Sequence, residues 1–252
     1  MRNKRWTVEE IELLKTKWTK TKTEELKILF PGRSYNSLLQ KAVELGIRME
    51  KGFRKRKGNL IFLDTLSRES VYWWGLILAD GHISKQNEVS IYLHKDDEEY
   101  LKVLTNKLNV KIRYSKEMCY FTIGDKDFSE RWKKQLKMND ECTKTYCPPC
   151  LDIFKNNMMP LFIGLIDGDG HIRFGNGYYN CSIDLYNTWF SSLEIFQKVL
   201  SFYGIKASVK YTKKGKYCRL NIVGKENLIK LLPHLQGLPY LQRKWNKILQ
   251  SP

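Results

Sequence analysis

The chain has 252 residues, with 44 Lys+Arg against 27 Asp+Glu and a formal net charge of +17. That length allows more than one small domain with a core of its own, and the excess of basic side chains points to a polyanionic partner such as nucleic acid. No run approaches the roughly 20 consecutive apolar residues of a bilayer-spanning helix, so no membrane partner is expected; six cysteines without a secretory leader predict reduced, packed thiols in a cytosol-like compartment.

The charge is concentrated at the front, where residues 1–58 carry 16 basic and 7 acidic side chains. Thr7 followed by Glu9 and Glu10 reads as a helix N-cap, with Ile11, Leu13, Leu14 and Trp18 at helical spacing behind it. A second short helix runs from Thr23 through Leu26 and Leu29 to Phe30, where Pro31-Gly32 breaks it. A third begins near Ser34, turns Leu38, Leu39, Ala42 and Leu45 inward, leaves Arg33, Tyr35, Asn36, Gln40 and Lys41 outward, and stops at Gly46. Three short helices with a polar, basic third one suit a helix-turn-helix reader of the major groove, giving a predicted all-α domain at residues 1–48. A three-helix bundle without DNA contacts is the other reading. Residues 49–59 follow as a basic linker in which Arg54, Lys55, Arg56 and Lys57 stand between Gly52 and Gly58. Such a run is either a solvated spacer or a tether along the phosphate backbone, and DNA contact is the expectation.

From residue 60 the chain says almost the same thing twice. Residues 73–81, WWGLILADG, and 162–170, FIGLIDGDG, share the pattern G-L-I-x-[AG]-D-G-H-I, which runs on through His82-Ile83 and His171-Ile172. A repeat at that period predicts two copies of a small domain paired about a pseudo-twofold axis, here residues 60–155 and 156–252. Gly75 and Ala79, and Gly164 and Gly168, stand four apart on one helix face, where the missing side-chain volume lets two helix backbones touch. Asp80 and Asp169 would then emerge side by side at the helix ends, where Gly81 and Gly170 let the chain turn away. Two carboxylates held close call for a cation between them, and an all-oxygen site suits Mg²⁺, with Mn²⁺ or Ca²⁺ able to occupy it as well.

After each repeated segment the polarity alternates with period two. Residues 89–94 set Val89, Ile91 and Leu93 against Ser90, Tyr92 and His94; residues 110–115 set Val110, Ile112 and Tyr114 against Lys111, Arg113 and Ser115. Residues 205–212 set Ile205, Ala207, Val209 and Tyr211 against Lys206, Ser208, Lys210 and Thr212, and residues 217–222 set Cys218, Leu220 and Ile222 against Tyr217, Arg219 and Asn221. The polar set is of the kind that reads base edges and phosphates, so Lys111, Arg113, Ser115, Lys206, Ser208, Lys210, Arg219 and Asn221 are candidate DNA contacts. Residues 96–108 and 189–203 have apolar residues at helical spacing and should back the two sheets. Each half therefore reads as helix, two strands, helix, two strands, helix, an α+β layer arrangement.

The paired segments resemble the LAGLIDADG motif of homing endonucleases, and the two-copy arrangement resembles the monomeric, pseudo-symmetric branch, in which two αββαββα half-domains form a DNA-binding saddle. The resemblance implies that Asp80 and Asp169 bind divalent metal at the scissile phosphates, with the main-chain carbonyls of Ala79 and Gly168 as further contacts. It also implies a basic residue late in each half: Lys144, and Lys244 or its neighbour Arg243. The earlier acidic position of the motif is Leu78 in the first copy and Asp167 in the second, and it is not the metal ligand. Residues W-T-x-E-E, F-P-G-R-S-Y-N-S-L and K-A-x-x-L-G-I at the front resemble a Myb/SANT-type helix-turn-helix. Cys142, Cys147 and Cys150 form C-x4-C-x2-C without a fourth zinc ligand at a suitable spacing.

The expected function is site-specific hydrolysis of both strands of double-stranded DNA, at a long pseudo-palindromic site, by a monomer that needs no protein partner. Such a nuclease is expected to stand free or in an intron, for intron homing, since neither end shows an intein's splicing features. An RNA maturase of the same fold and a non-catalytic DNA-binding regulator are the rival readings. The expected location is cytoplasmic, with nucleoid DNA of a prokaryotic or phage-infected cell, or alternatively an organelle.

Overall fold

The computed structural model describes residues 6–18, 21, 23–47, 58–84, 87–138, 149–175, 180–212 and 217–250. Two compact units divide the chain, Met1–Lys55 and Arg56–Pro252.

In the first unit α1 (Val8–Lys17), α2 (Thr23–Leu29) and α3 (Tyr35–Glu44) surround Leu14, Trp18, Leu26, Phe30, Leu38 and Ala42. The start of α1 is fixed by a reciprocal cap: the Glu10 N–H donates to Thr7 Oγ1 at 3.2 Å, and the Thr7 N–H donates to Glu10 Oε2 at 3.0 Å. Ser34 caps α3 through the Ser37 N–H. Burying each large apolar side chain here contributes roughly 1.5–3 kcal/mol.

The second unit opens with α4 (Ile61–Asp64). Its first half continues as α5 (Arg68–Ala79), β1 (Gly81–Ile83), β2 (Glu88–His94), α6 (Glu98–Leu108), β3 (Arg113–Ser115), β4 (Met118–Gly124) and α7 (Lys126–Gln135). Its second half repeats the order as α8 (Met158–Asp169), β5 (Gly170–Arg173), β6 (Ser182–Asn187), α9 (Phe190–Phe202), β7 (Ala207–Tyr211), β8 (Cys218–Val223) and α10 (Lys225–Ile229), and α11 (Gln242–Leu249) follows. Each half carries one antiparallel four-stranded sheet, ordered β1-β2-β4-β3 in the first and β5-β6-β8-β7 in the second.

Helices α5 and α8 are apolar all round and lie at the centre of the core, every residue from Ser70 to Leu78 and from Met158 to Asp167 being buried. They meet at two glycines. A Cβ on Gly75 would lie 2.9 Å from the Gly164 Cα, and one on Gly164 would lie 3.0 Å from the Gly75 Cα, each colliding as well with a carbonyl of the opposite helix. The sheets are backed by α6, through Leu101, Leu104 and Leu108, and by α9, through Leu193, Phe196 and Leu200, the same spacing in both. Each of these helices is followed by a left-handed residue, Asn109 at φ 52° and Gly204 at φ +67°. No described helix is long and apolar enough to cross a membrane.

The central strands keep the apolar half of the period-two expectation, with Val89, Ile91, Leu93, Cys119, Phe121 and Ile123 buried in one sheet and Ile183, Leu185, Cys218, Leu220 and Ile222 in the other, but Ser90, Ser182 and Asp184 are buried as well. The edge strands depart from it. β3 is a three-residue edge strand and all three residues are exposed, Tyr114 included, its hydroxyl donating to Glu98 Oε1 at 2.9 Å. Lys111 and Lys206 both precede their strands, the Lys206 N–H donating instead to Asn227 Oδ1. Cys119, Cys181 and Cys218 are buried free thiols, while Cys142 and Cys147 lie outside the described residues.

Candidate active site and nucleic-acid interface

Because the glycine contact removes the side chains that would hold them apart, α5 and α8 end together. Asp80 caps α5 and Asp169 is the final residue of α8, both exposed. A Cβ built on Gly168 would stand 3.3 Å from Asp80 Oδ2, so the Asp80 carboxylate lies over the residue that precedes Asp169. Two carboxylates add to the partial negative charge of two helix C-termini, and this favours a cation. The two carboxylates are oxygen donors, and the carbonyls of Ala79 and Gly168 are the further donors expected from the sequence. They fit a hard divalent cation that retains part of its water shell better than zinc or copper. Among the described residues no group of three or more His, Cys, Asp and Glu forms a fuller ligand cage. A cleft of about 280 Å³ opens beside Asp169, lined by Leu78, Ala79, Tyr186, Thr188, Trp189 and Tyr217 among others.

Lys244 reaches this centre from α11. Its ammonium donates to the carbonyls of Ile166 at 2.9 Å, Gly168 at 2.9 Å and Gly170 at 2.8 Å, closing the C-terminal end of α8. Burial lowers its pKa, against the pull of the nearby Asp167, Asp80 and Asp169. Arg243 is committed elsewhere, pairing through Nε at 2.7 Å and Nη2 at 2.8 Å with the buried Asp97 of the first half. Of the two neighbours, Lys244 is the one that reaches the end of α8. Lys144 lies outside the described residues, as do Arg54, Lys55, Arg56 and Lys57.

Sequence reasoning gave Asp167 no role, yet it organises the region. Its carboxylate accepts from the Tyr72 hydroxyl at 2.6 Å, Trp245 Nε1 at 2.6 Å and the Leu241 N–H at 2.9 Å. Tyr72 in turn meets the Tyr100 hydroxyl at 2.5 Å. Burial pushes Asp167 up to about 6 despite these donors, and it pushes both tyrosines well above their ordinary value. The network ties α11 to α5 and α8 and thereby places Lys244, one residue before Trp245. Its only sequence signal was the mismatch of Asp167 with Leu78.

Each sheet begins at the residue after its aspartate, Gly81 in the first half and Gly170 in the second. In the first half Arg113 and Ser115 lie on β3; in the second Ser208 and Lys210 lie on β7, with Lys210 exposed. Arg219 and Asn221 lie on β8, but their side chains are held by Asp184 rather than standing free: Arg219 Nε and Asn221 Nδ2 both donate to its Oδ1 at 2.6 Å. Neither Asp184 nor its other partner, Arg173, was among the sequence candidates.

In the first unit Asn36 and Gln40 are exposed on α3, and Lys41 is paired with Glu44 at 3.0 Å. Arg33 is not outward. Its side chain is 6% exposed, paired with Glu10 at 2.7 Å and stacked 4.3 Å from the Trp6 ring centroid, so it holds the helices together instead of facing a ligand.

Residues 157–236, spanning α8 to α10, match the family model described as a LAGLIDADG-like domain. Solved structures similar to this chain include mesophilic variants of the homing endonuclease I-DmoI, at 16% identity over 72% of this chain and 97% of that chain, TM-score 0.48. I-DmoI in complex with DNA and Ca gives the same figures. The LAGLIDADG meganuclease I-AabMI bound to uncleaved DNA is similar at 14% identity over 71% of this chain and 87% of that chain, TM-score 0.46. No curated protein matches the sequence.

Proposed function

We propose that the chain is a site-specific double-strand DNA endonuclease of the homing type, acting as a monomer on a long pseudo-palindromic site with a divalent cation, Mg²⁺ by preference. The observation that carries the reading is the convergence of Asp80 and Asp169 at the ends of two touching helices, each leading directly into a sheet with a polar outer face. The family-model match over the second half supports it. A cation held by the two aspartates and the carbonyls of Ala79 and Gly168 would supply Lewis-acid activation of phosphate and water. Each aspartate belongs to one half, so each serves one DNA strand. Lys244 fixes the Gly168 carbonyl and adds positive charge where negative charge develops on the phosphate. The first unit reads flanking DNA as a helix-turn-helix, Asn36 and Gln40 on α3 being its exposed reading groups.

The test is incubation with duplex DNA carrying candidate insertion sites and Mg²⁺, comparing wild type with Asp80→Asn and Asp169→Asn. Wild type should cut both strands, and each variant should lose cleavage by about 10³-fold while still binding. Sequence-specific binding by the wild type without any nicking would overturn the proposal and favour a maturase or a regulator.

A further inference from the structure

The second sheet holds a carboxylate that the acidic centre does not use. Asp184, in the middle of β6, is only 3% exposed although it lies on the polar face, opposite His171 on β5 and Asn221 on β8. Its Oδ1 takes Arg219 Nε and Asn221 Nδ2, each at 2.6 Å, and pairs with Arg219 Nη2 as well. Its Oδ2 takes Arg173 Nη2 at 2.9 Å, while Arg173 Nε donates to Ser182 Oγ at 3.2 Å. The Arg219 guanidinium stands 5.7 Å from the Tyr186 ring centroid. The two arginine side chains remain 52% and 35% exposed around a carboxylate that is 4% exposed.

This occupancy decides what the face can read. Three donors crowd Oδ1, one sits on Oδ2, and the residue is only 3% exposed, so burial closes Asp184 to a cytosine amino group. Each arginine spends its Nε–Nη2 edge inward, leaving the Nη1 side of a planar, positively charged fork for a ligand. Two parallel N–H donors match O6 and N7 of guanine in the major groove, and also two oxygens of a phosphate. A fork already fixed on its inner edge gives up little freedom on binding. The first sheet has no counterpart. Ser90 stands at the position of Asp184, opposite His82 and Thr122, and Tyr120 stands at that of Arg219.

We infer that Arg173 and Arg219, oriented by Asp184, read guanine in the half-site bound by the second sheet. The inference rests on the endonuclease reading insofar as this sheet faces a duplex. The first half, lacking the fork, reads its half-site by other contacts, and the two half-sites differ in sequence.

The experiment enriches bound duplexes from a randomised DNA library in EDTA with the full-length chain and compares base preference position by position. Wild type should select G·C pairs on one side of the site. Arg219→Lys and Arg173→Lys keep the charge and lose the fork, so each should lower preference at its G·C pair about ten-fold or more while leaving the salt dependence of binding unchanged. Asp184→Ser, which installs the residue of the first sheet, should relax both positions at once. Its melting temperature, read alongside, separates this from unfolding. Unchanged preferences in both lysine variants, or selected pairs other than G·C, would overturn the inference and leave the endonuclease reading standing. Failure of the wild type to select any sequence would overturn both.

Discussion

Asp167 carries a pH dependence of its own. Its value near 6 lies above the ordinary carboxylate value of 3.8, and the cause is burial. The stability tied to its protonated form is therefore fully present below about pH 4 and is lost as pH rises through 6, roughly 3 kcal/mol in all. Asp167→Asn should flatten this component. Melting curves of both proteins in EDTA between pH 4 and 7 check it, the wild-type melting temperature falling relative to that of the variant as pH rises. Lys244 makes a separate prediction, since three carbonyls depend on one ammonium. Lys244→Met should lower single-turnover cleavage by about 10²-fold or more with specific binding in EDTA retained; cleavage at the wild-type rate would remove Lys244 from the chemistry.

Among the elements, the joint of α5 and α8 has the least tolerance. A methyl group on Gly75 or Gly164 meets backbone, which cannot rotate away. Gly75→Ala should cost about 3 kcal/mol or more and lower the melting temperature by about 6–12 °C. The same joint was the most legible part of the sequence, because small residues four apart, an aspartate and a glycine are all local to one nine-residue segment written twice. The central strands were legible for a similar reason, their alternation being set by one buried face. What could not be read was pairing across distance. Asp167 meets Trp245 across 78 residues and Asp97 meets Arg243 across 146, with no period connecting them. Nor could alternation show that the polar residues Arg219 and Asn221 would close on a carboxylate from the neighbouring strand, or that Arg33 would turn inward to Glu10 and Trp6.

At the scale of the molecule, the front of the chain contributes charge out of proportion to its size: residues 1–58 hold 16 of the 44 basic side chains against 7 of the 27 acidic ones. If those charges meet phosphates, residues 56–252 produced alone should keep metal-dependent cleavage and bind the same site with a salt dependence shallower by several counterions. Affinity measured across a series of KCl concentrations checks this, and an identical slope would assign the charge to solubility instead.

Chain order adds a timing consequence to the contacts of α11. Both aspartates are in place by residue 169, yet the ammonium that closes α8 belongs to residue 244, and two of the three donors to Asp167 belong to residues 241 and 245. During synthesis, a chain long enough to display both acidic residues still lacks the parts that set their surroundings. The lysine that closes α8 thus arrives late, after the strands of both sheets have been made, and an unfinished polypeptide carries both acids without it.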